Sequence, residues 1–180
     1  QSIRKSFGLD LAELGLVFTL IALGFLASGP LASAASDRYG RLPFIIAGTT
    51  LMPVGFAVMS LAPIWTILLS GAFLAGLGMG LFEGPLTALI VDLAPGSTAK
   101  WLNLLHFFFG LGALTGPPLI AIAFTQDLSW RVMYGALSIV GLTSAIPFIF
   151  IKTRPNSRPI THQRISMARI ADSVLNPIVL

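Results

Sequence analysis

Residues 42–82 read LPFIIAGTTLMPVGFAVMSLAPIWTILLSGAFLAGLGMGLF, a run of 41 positions without an Asp, Glu, Lys or Arg. An apolar helix of about 20 residues crosses the hydrocarbon core of a bilayer, so a run twice that length predicts two crossings. The stretch SLAPIW (60–65) divides it. Pro63 has no N–H with which to continue a helix, and the run leaves no room for a polar loop, which predicts a tight helical hairpin. Three more charge-free runs, 14–36, 101–126 and 132–151, flank this one. The spans expected are therefore 12–36, 43–62, 64–92, 101–124 and 131–151, an all-α integral membrane bundle over residues 1–151.

The composition agrees. Only 10% of the 180 residues are charged and the mean hydropathy is +0.88, whereas a soluble domain carries about 25% charged residues. Several long spans, the first of them too long for a leader, exclude a secretory signal as the source of this hydropathy. There is no cysteine, which leaves the redox compartment open. The net charge of +4 does not call for a nucleic-acid partner, because most of it flanks the spans. A first residue of Gln1 and a closing NPIVL lead us to expect a fragment of a longer chain.

The basic residues also orient the bundle. With five spans, Arg38, Arg41, Lys100, Lys152, Arg154, Arg158, Arg164 and Arg169 fall on one side, and Arg4, Lys5 and Arg131 on the other. Lys and Arg concentrate in cytoplasmic loops. The expectation is an N-terminus outside and a basic tail inside, in the plasma (cytoplasmic) membrane. Residues 152–174, rich in basic residues, Ser, Pro and Thr, read as a cytoplasmic linker, and 175–180 as the start of a further span. Trp65, Trp101, Trp130, Tyr39 and Tyr134 all fall near span ends, where aromatic side chains sit at headgroup depth.

Within the spans, Gly76, Gly80 and Gly84 recur every four residues, a spacing that lets a second helix approach closely. Gly29-Pro30 and Gly116-Pro117 lie three spans apart in helices of opposite direction, an arrangement met in transporters built from inverted repeats. Glu83 is the one carboxylate inside this apolar region. It precedes Asp92 by nine residues, which at ~1.5 Å per residue places it roughly 13–14 Å in, near the bilayer midplane. A charge there costs about 2.5–3.5 kcal/mol on the insertion scale, and it ordinarily faces a cavity with a function. On the fourth span Asn103, His106, Gly110, Ala113 and Pro117 share one helix face. Asn103 and His106 either line a solute path or hydrogen-bond between helices.

The stretch SAASDRYGRL (33–42) is the most specific element. It reads as a loop in which Gly40 permits a turn and Asp37 and Arg41 stand four apart. It resembles the cytoplasmic motif Gly-x-x-x-Asp-Arg-x-Gly-Arg-Arg of the major facilitator superfamily, found between that family's second and third helices. Asp37, Arg38, Gly40 and Arg41 match it; Ser33 replaces the first Gly, and Leu42 the last basic residue. The resemblance implies that the five spans are helices two to six of that fold, lacking the first helix and the C-terminal half. It also implies a cytoplasmic gating cluster of Asp37 and Arg41 with Asp92, at the inner end of the third span.

Two segments are similar to the sugar-transporting branches, including relatives of the fucose–proton symporters: FEGPLTAL (82–89), with its intramembrane acid, and NLLHFFFGLGALTGPPL (103–119). Thr87-Ala88 stands where those relatives carry Asn-Pro. The piece from Gly112 to Pro117 resembles the superfamily's antiporter motif, without the Gly pair that follows there.

These readings converge on transport of a small solute, sugar-like on that resemblance, by alternating access. Glu83 would couple protons to solute movement, and Glu83, Thr87, Asn103 and His106 would line the path. Gly76, Gly80, Gly84, Gly116 and Pro117 would serve helix packing. No metal-ligand spacing or cofactor motif is present. A membrane-embedded enzyme would need a nucleophile–base pair or metal ligands at one depth, for which two His and no Cys are poor material. The alternative function is a sensor or assembly protein of the same fold that does not transport.

Overall fold

In the computed structural model, which describes residues 3–150 apart from the side chain of Ile149, one short helix precedes five long ones. They are α1 (Ile3–Phe7), α2 (Leu11–Tyr39), α3 (Arg41–Leu61), α4 (Trp65–Leu93), α5 (Thr98–Thr125) and α6 (Trp130–Phe150). Each of α2 to α6 is long and apolar enough to cross a membrane. Helices suit that solvent because every backbone N–H and C=O is satisfied within the segment. The linker expected over 152–174 and the span expected from 175 lie outside the described residues.

The helix ends follow local chemistry. Asp10 and Glu13 form a reciprocal capping box that starts α2: Glu13 N–H donates to the Asp10 carboxylate at 2.7 Å, and Asp10 N–H to that of Glu13 at 2.9 Å. At its other end α2 runs on through Asp37 and Arg38, so 33–42 is not the loop expected from its polarity. Gly40 alone joins α2 to α3, with φ +90° and ψ 152°, a region essentially restricted to glycine. Between α5 and α6 the chain turns through Asp127 at φ 54°. There Asp127 N–H donates to Phe124 C=O and Leu128 N–H to Ala123 C=O, the paired bonds of a Schellman ending.

Helix α4 is central, packed against α2 on one side and α3 on another, while α6 packs on α3. Two stripes of small residues on α4 make this possible. A Cβ added at Gly76 or Gly80 would overlap the α2 backbone around Ile21 and Phe25, and one at Gly84 would overlap the Ser33 hydroxyl. On the other stripe, Cβ atoms at Gly71 and Gly78 would collide with Met59 and Met52 of α3. Because lipid tails are as apolar as leucine, such close packing has to hold a membrane bundle together. Ser28 adds a hydrogen bond from its hydroxyl to the Leu77 carbonyl at 2.9 Å.

Helix α5 differs, since none of its residues is buried and its main neighbour is α4. At the end of the bundle remote from Gly40, α1 folds over the helix ends and contributes Ile3 and Phe7 to a cluster with Val17, Met59, Leu68 and Trp130. Trp130 is only 3% exposed, beside the rings of Phe7 and Tyr134, and its Nε1–H donates to Ser6 Oγ at 2.9 Å. Trp130 stands at a span end as expected, and α1 covers it there, so its ring packs within the bundle. Tyr39 and Trp101 are exposed.

Candidate functional site

The periodicity of α2 and α4 builds a groove between them. Phe25, Gly29, Ser33 and Asp37 are spaced by four and present one face of α2; Gly80, Gly84 and Ala88, with Glu83 and Thr87, present the facing side of α4. The overlaps at Gly76 and Gly80 relax to ordinary contact at Gly29, where an added Cβ would approach nothing closer than 3.9 Å. The resulting cavity is about 790 Å³ and is lined at one end by Asp37 and Arg41. Pro30, inside α2, also lines it.

At that end a charge cluster ties three helices together. Arg41 Nη1 donates to Asp37 Oδ1 at 2.9 Å, and its Nε donates to Asp92 Oδ2. Asp37 is in the last turns of α2, Arg41 is the first residue of α3, and Asp92 the penultimate residue of α4. The Arg41 side chain is 12% exposed, so its charge sits largely away from water between two partly exposed carboxylates. Arg38 is not part of the cluster: its guanidinium lies 5.4 Å from the centre of the Tyr39 ring.

Glu83 is exposed on the groove rather than enclosed by the bundle. Thr87, one turn on, lines the same cavity. Asn103 and His106 lie on α5, exposed, and are not among the residues lining this groove. Nothing lies within 4 Å of a Cβ added at Gly116. Sequence reasoning passed over Gly29 and Ser33 as groove residues and treated Arg41 only as a latch. The signal was present in the four-residue spacing of Gly29, Ser33 and Asp37, which runs opposite that of Gly80, Gly84 and Ala88.

Arranged so, the site can do two things. It can hold a small molecule against a carboxylate in an apolar setting, and it can brace or release one end of α2, α3 and α4 together through a single guanidinium.

Comparison with known proteins supports the architecture. The family model for the Major Facilitator Superfamily matches residues 1–176. The chain is 32% identical over 121 residues to a protein from Shigella dysenteriae serotype 1 (strain Sd197) named Multidrug resistance protein MdtH, covering 67% of this chain and 28% of that one. It is 34% identical over 122 residues to the MdtH of Citrobacter koseri, with the same coverage of each chain. With Multidrug resistance protein MdtL of Escherichia coli O9:H4 (strain HS) it shares 30% identity over 149 residues, 81% of this chain and 38% of the relative. The chain thus spans about a third of the length of the curated relatives it matches. With five apolar spanning helices and a family match along nearly its whole length, this integral membrane protein belongs to the Major Facilitator Superfamily.

Proposed function

We propose that the protein is a transporter that moves a small solute across the membrane by alternating access, driven by protons, and that this chain forms one wall of its path. The observation that carries the reading is the shared groove: Glu83 and the Arg41–Asp37 pair line a single cavity between α2 and α4. A carboxylate at that position can take up a proton or a cationic solute, and the cluster at the groove's end is placed to respond to movement of either helix. Asn103 and His106, one turn apart on α5, would extend the path where α5 adjoins α4. The remainder of a full-length protein would supply the opposite wall, and the cluster end would face the cytoplasm by its greater share of basic residues.

The solute favoured is amphipathic rather than sugar-like. Around Glu83 the walls are largely apolar, with Phe25, Leu26 and Val91 beside the hydroxyls of Ser33 and Thr87. A sugar asks for many hydrogen-bonding groups, whereas a lipophilic cation asks for apolar walls and one acid. The relatives' name, multidrug resistance protein, fits such a solute, and the direction we propose is export in exchange for protons.

The test uses cells expressing the full-length protein and ethidium as a fluorescent lipophilic cation. Proton-driven extrusion is expected, abolished by a protonophore. Glu83→Gln keeps shape and hydrogen bonding but cannot exchange a proton. It should lose uphill extrusion and retain energy-independent exchange. Undiminished uphill extrusion by this variant would place the coupling group elsewhere.

A further inference from the structure

At the end of the bundle opposite the Asp37–Arg41–Asp92 cluster, the first turn of α6 carries Arg131. It is fixed in place from two sides. Its Nη1 donates to the Ser60 carbonyl at 2.9 Å, while the Ser60 hydroxyl donates back to the Arg131 carbonyl at 2.7 Å. Its guanidinium also lies 4.5 Å from the centre of the Trp130 ring, a cation–π distance, and that ring is itself buried against α1. Among the described residues no carboxylate pairs with Arg131. The side chain therefore keeps its full charge and several unused N–H donors at a fixed point near the ends of α3 and α6.

Directly beside it, α3 and α6 leave a crevice of about 520 Å³, open at the side. Leu61 of α3 and Val132, Gly135, Ala136 and Ile139 of α6 line it. The α6 residues form a stripe at helical spacing, with the two small ones in the middle. Ile139 lies eight residues beyond Arg131, so the slot follows the helix axis for about 12 Å from the guanidinium into the apolar part of the span. A fixed cation at the end of a span, above an apolar slot parallel to the helices, matches one chemistry: a phosphate with a hydrocarbon chain below it.

We propose that this crevice is a phospholipid-binding site, with the lipid phosphate held by Arg131 and one acyl chain lying along Val132 to Ile139. The occupant is a bilayer lipid, since the slot opens sideways along an apolar span rather than into the groove of Glu83. A purely structural role, in which Arg131 caps the last carbonyls of α3, accounts for the bond to Ser60. It does not account for the open slot or for a charge left without a carboxylate.

The experiment adds phosphatidylglycerol, or diacylglycerol with the same chains, to delipidated full-length protein in detergent and reads bound lipid by native mass spectrometry. The wild type should hold one phosphatidylglycerol about tenfold more tightly than diacylglycerol, the scale of a charge-assisted phosphate contact. Arg131→Gln, which can still bond the Ser60 carbonyl, should lose that preference. Ala136→Phe, at an exposed lining position, should weaken both lipids by filling the slot while leaving the thermal midpoint near that of the wild type. Equal affinity of the wild type for the two lipids would overturn the proposal. So would unchanged phosphatidylglycerol binding in Ala136→Phe, and that result decides the matter even if Arg131→Gln does not fold.

Discussion

The Nε of Arg41 donates a hydrogen bond to Oδ2 of Asp92, joining the first residue of α3 to the last turn of α4 across 51 positions of sequence. The same guanidinium holds Asp37 of α2 at 2.9 Å, so three helix ends depend on one side chain. Asp37 and Asp92 are 38% and 32% exposed, and pairs this open contribute about 0–1 kcal/mol each. Their value is positional: they set where the ends of α2, α3 and α4 sit relative to one another.

Replacing Asp92 with Asn in full-length protein should therefore lower the thermal midpoint only slightly. Transport should slow severalfold while solute affinity stays within a few-fold, and Asp37→Asn should behave alike. If both variants transport at the native rate, the cluster does not gate.

Gly40→Ala tests the one-residue junction. A Cβ there would meet nothing within 4 Å, so the cost is conformational alone, at φ +90° and ψ 152°. The expected loss is about 1–3 kcal/mol, read as a lower thermal midpoint of the purified protein. An unchanged midpoint would mean that α2 and α3 can rejoin in another geometry.

Gly76→Val should be much more damaging, since the added atoms would drive into the Ile21 carbonyl and separate α2 from α4. Overpacking of this kind costs on the order of 1–3 kcal/mol or more, measurable as lost folded yield from the membrane. Gly116→Ala on α5 should be tolerated. A comparable loss at Gly116 would reveal a helix from the rest of the protein packed on that face.

The orientation can be read by single cysteines, because the chain has none of its own. Ser97→Cys lies between α4 and α5, and Asp127→Cys between α5 and α6. In intact cells a membrane-impermeant maleimide should label position 127, and position 97 only after lysis. The opposite pattern would invert the proposed topology.

The five spans were legible in the sequence because a bilayer is an exacting solvent. It tolerates only continuous apolar runs whose backbone bonds close within each helix, and both requirements are local. The small-residue spacing of Gly76, Gly80 and Gly84 was legible for the same reason, as a face. What it faced was not: periodicity defines a stripe, and only the packed bundle shows that this stripe meets α2 while Gly71 and Gly78 meet α3. The same limit applied to Asn103 and His106, which share a helix face but stand exposed on α5. It applied also to Trp130, whose place at a span end concealed that α1 folds over it. Even the polar stretch around Asp37 read as a loop, because charge marks where a helix leaves the membrane and not where it stops. The meeting of Arg41 with Asp92 was expected from the family resemblance alone, while the groove that joins the cluster to Glu83 required the tertiary structure, since the distance between two helices is set by how closely their backbones can approach and no single helix carries that information.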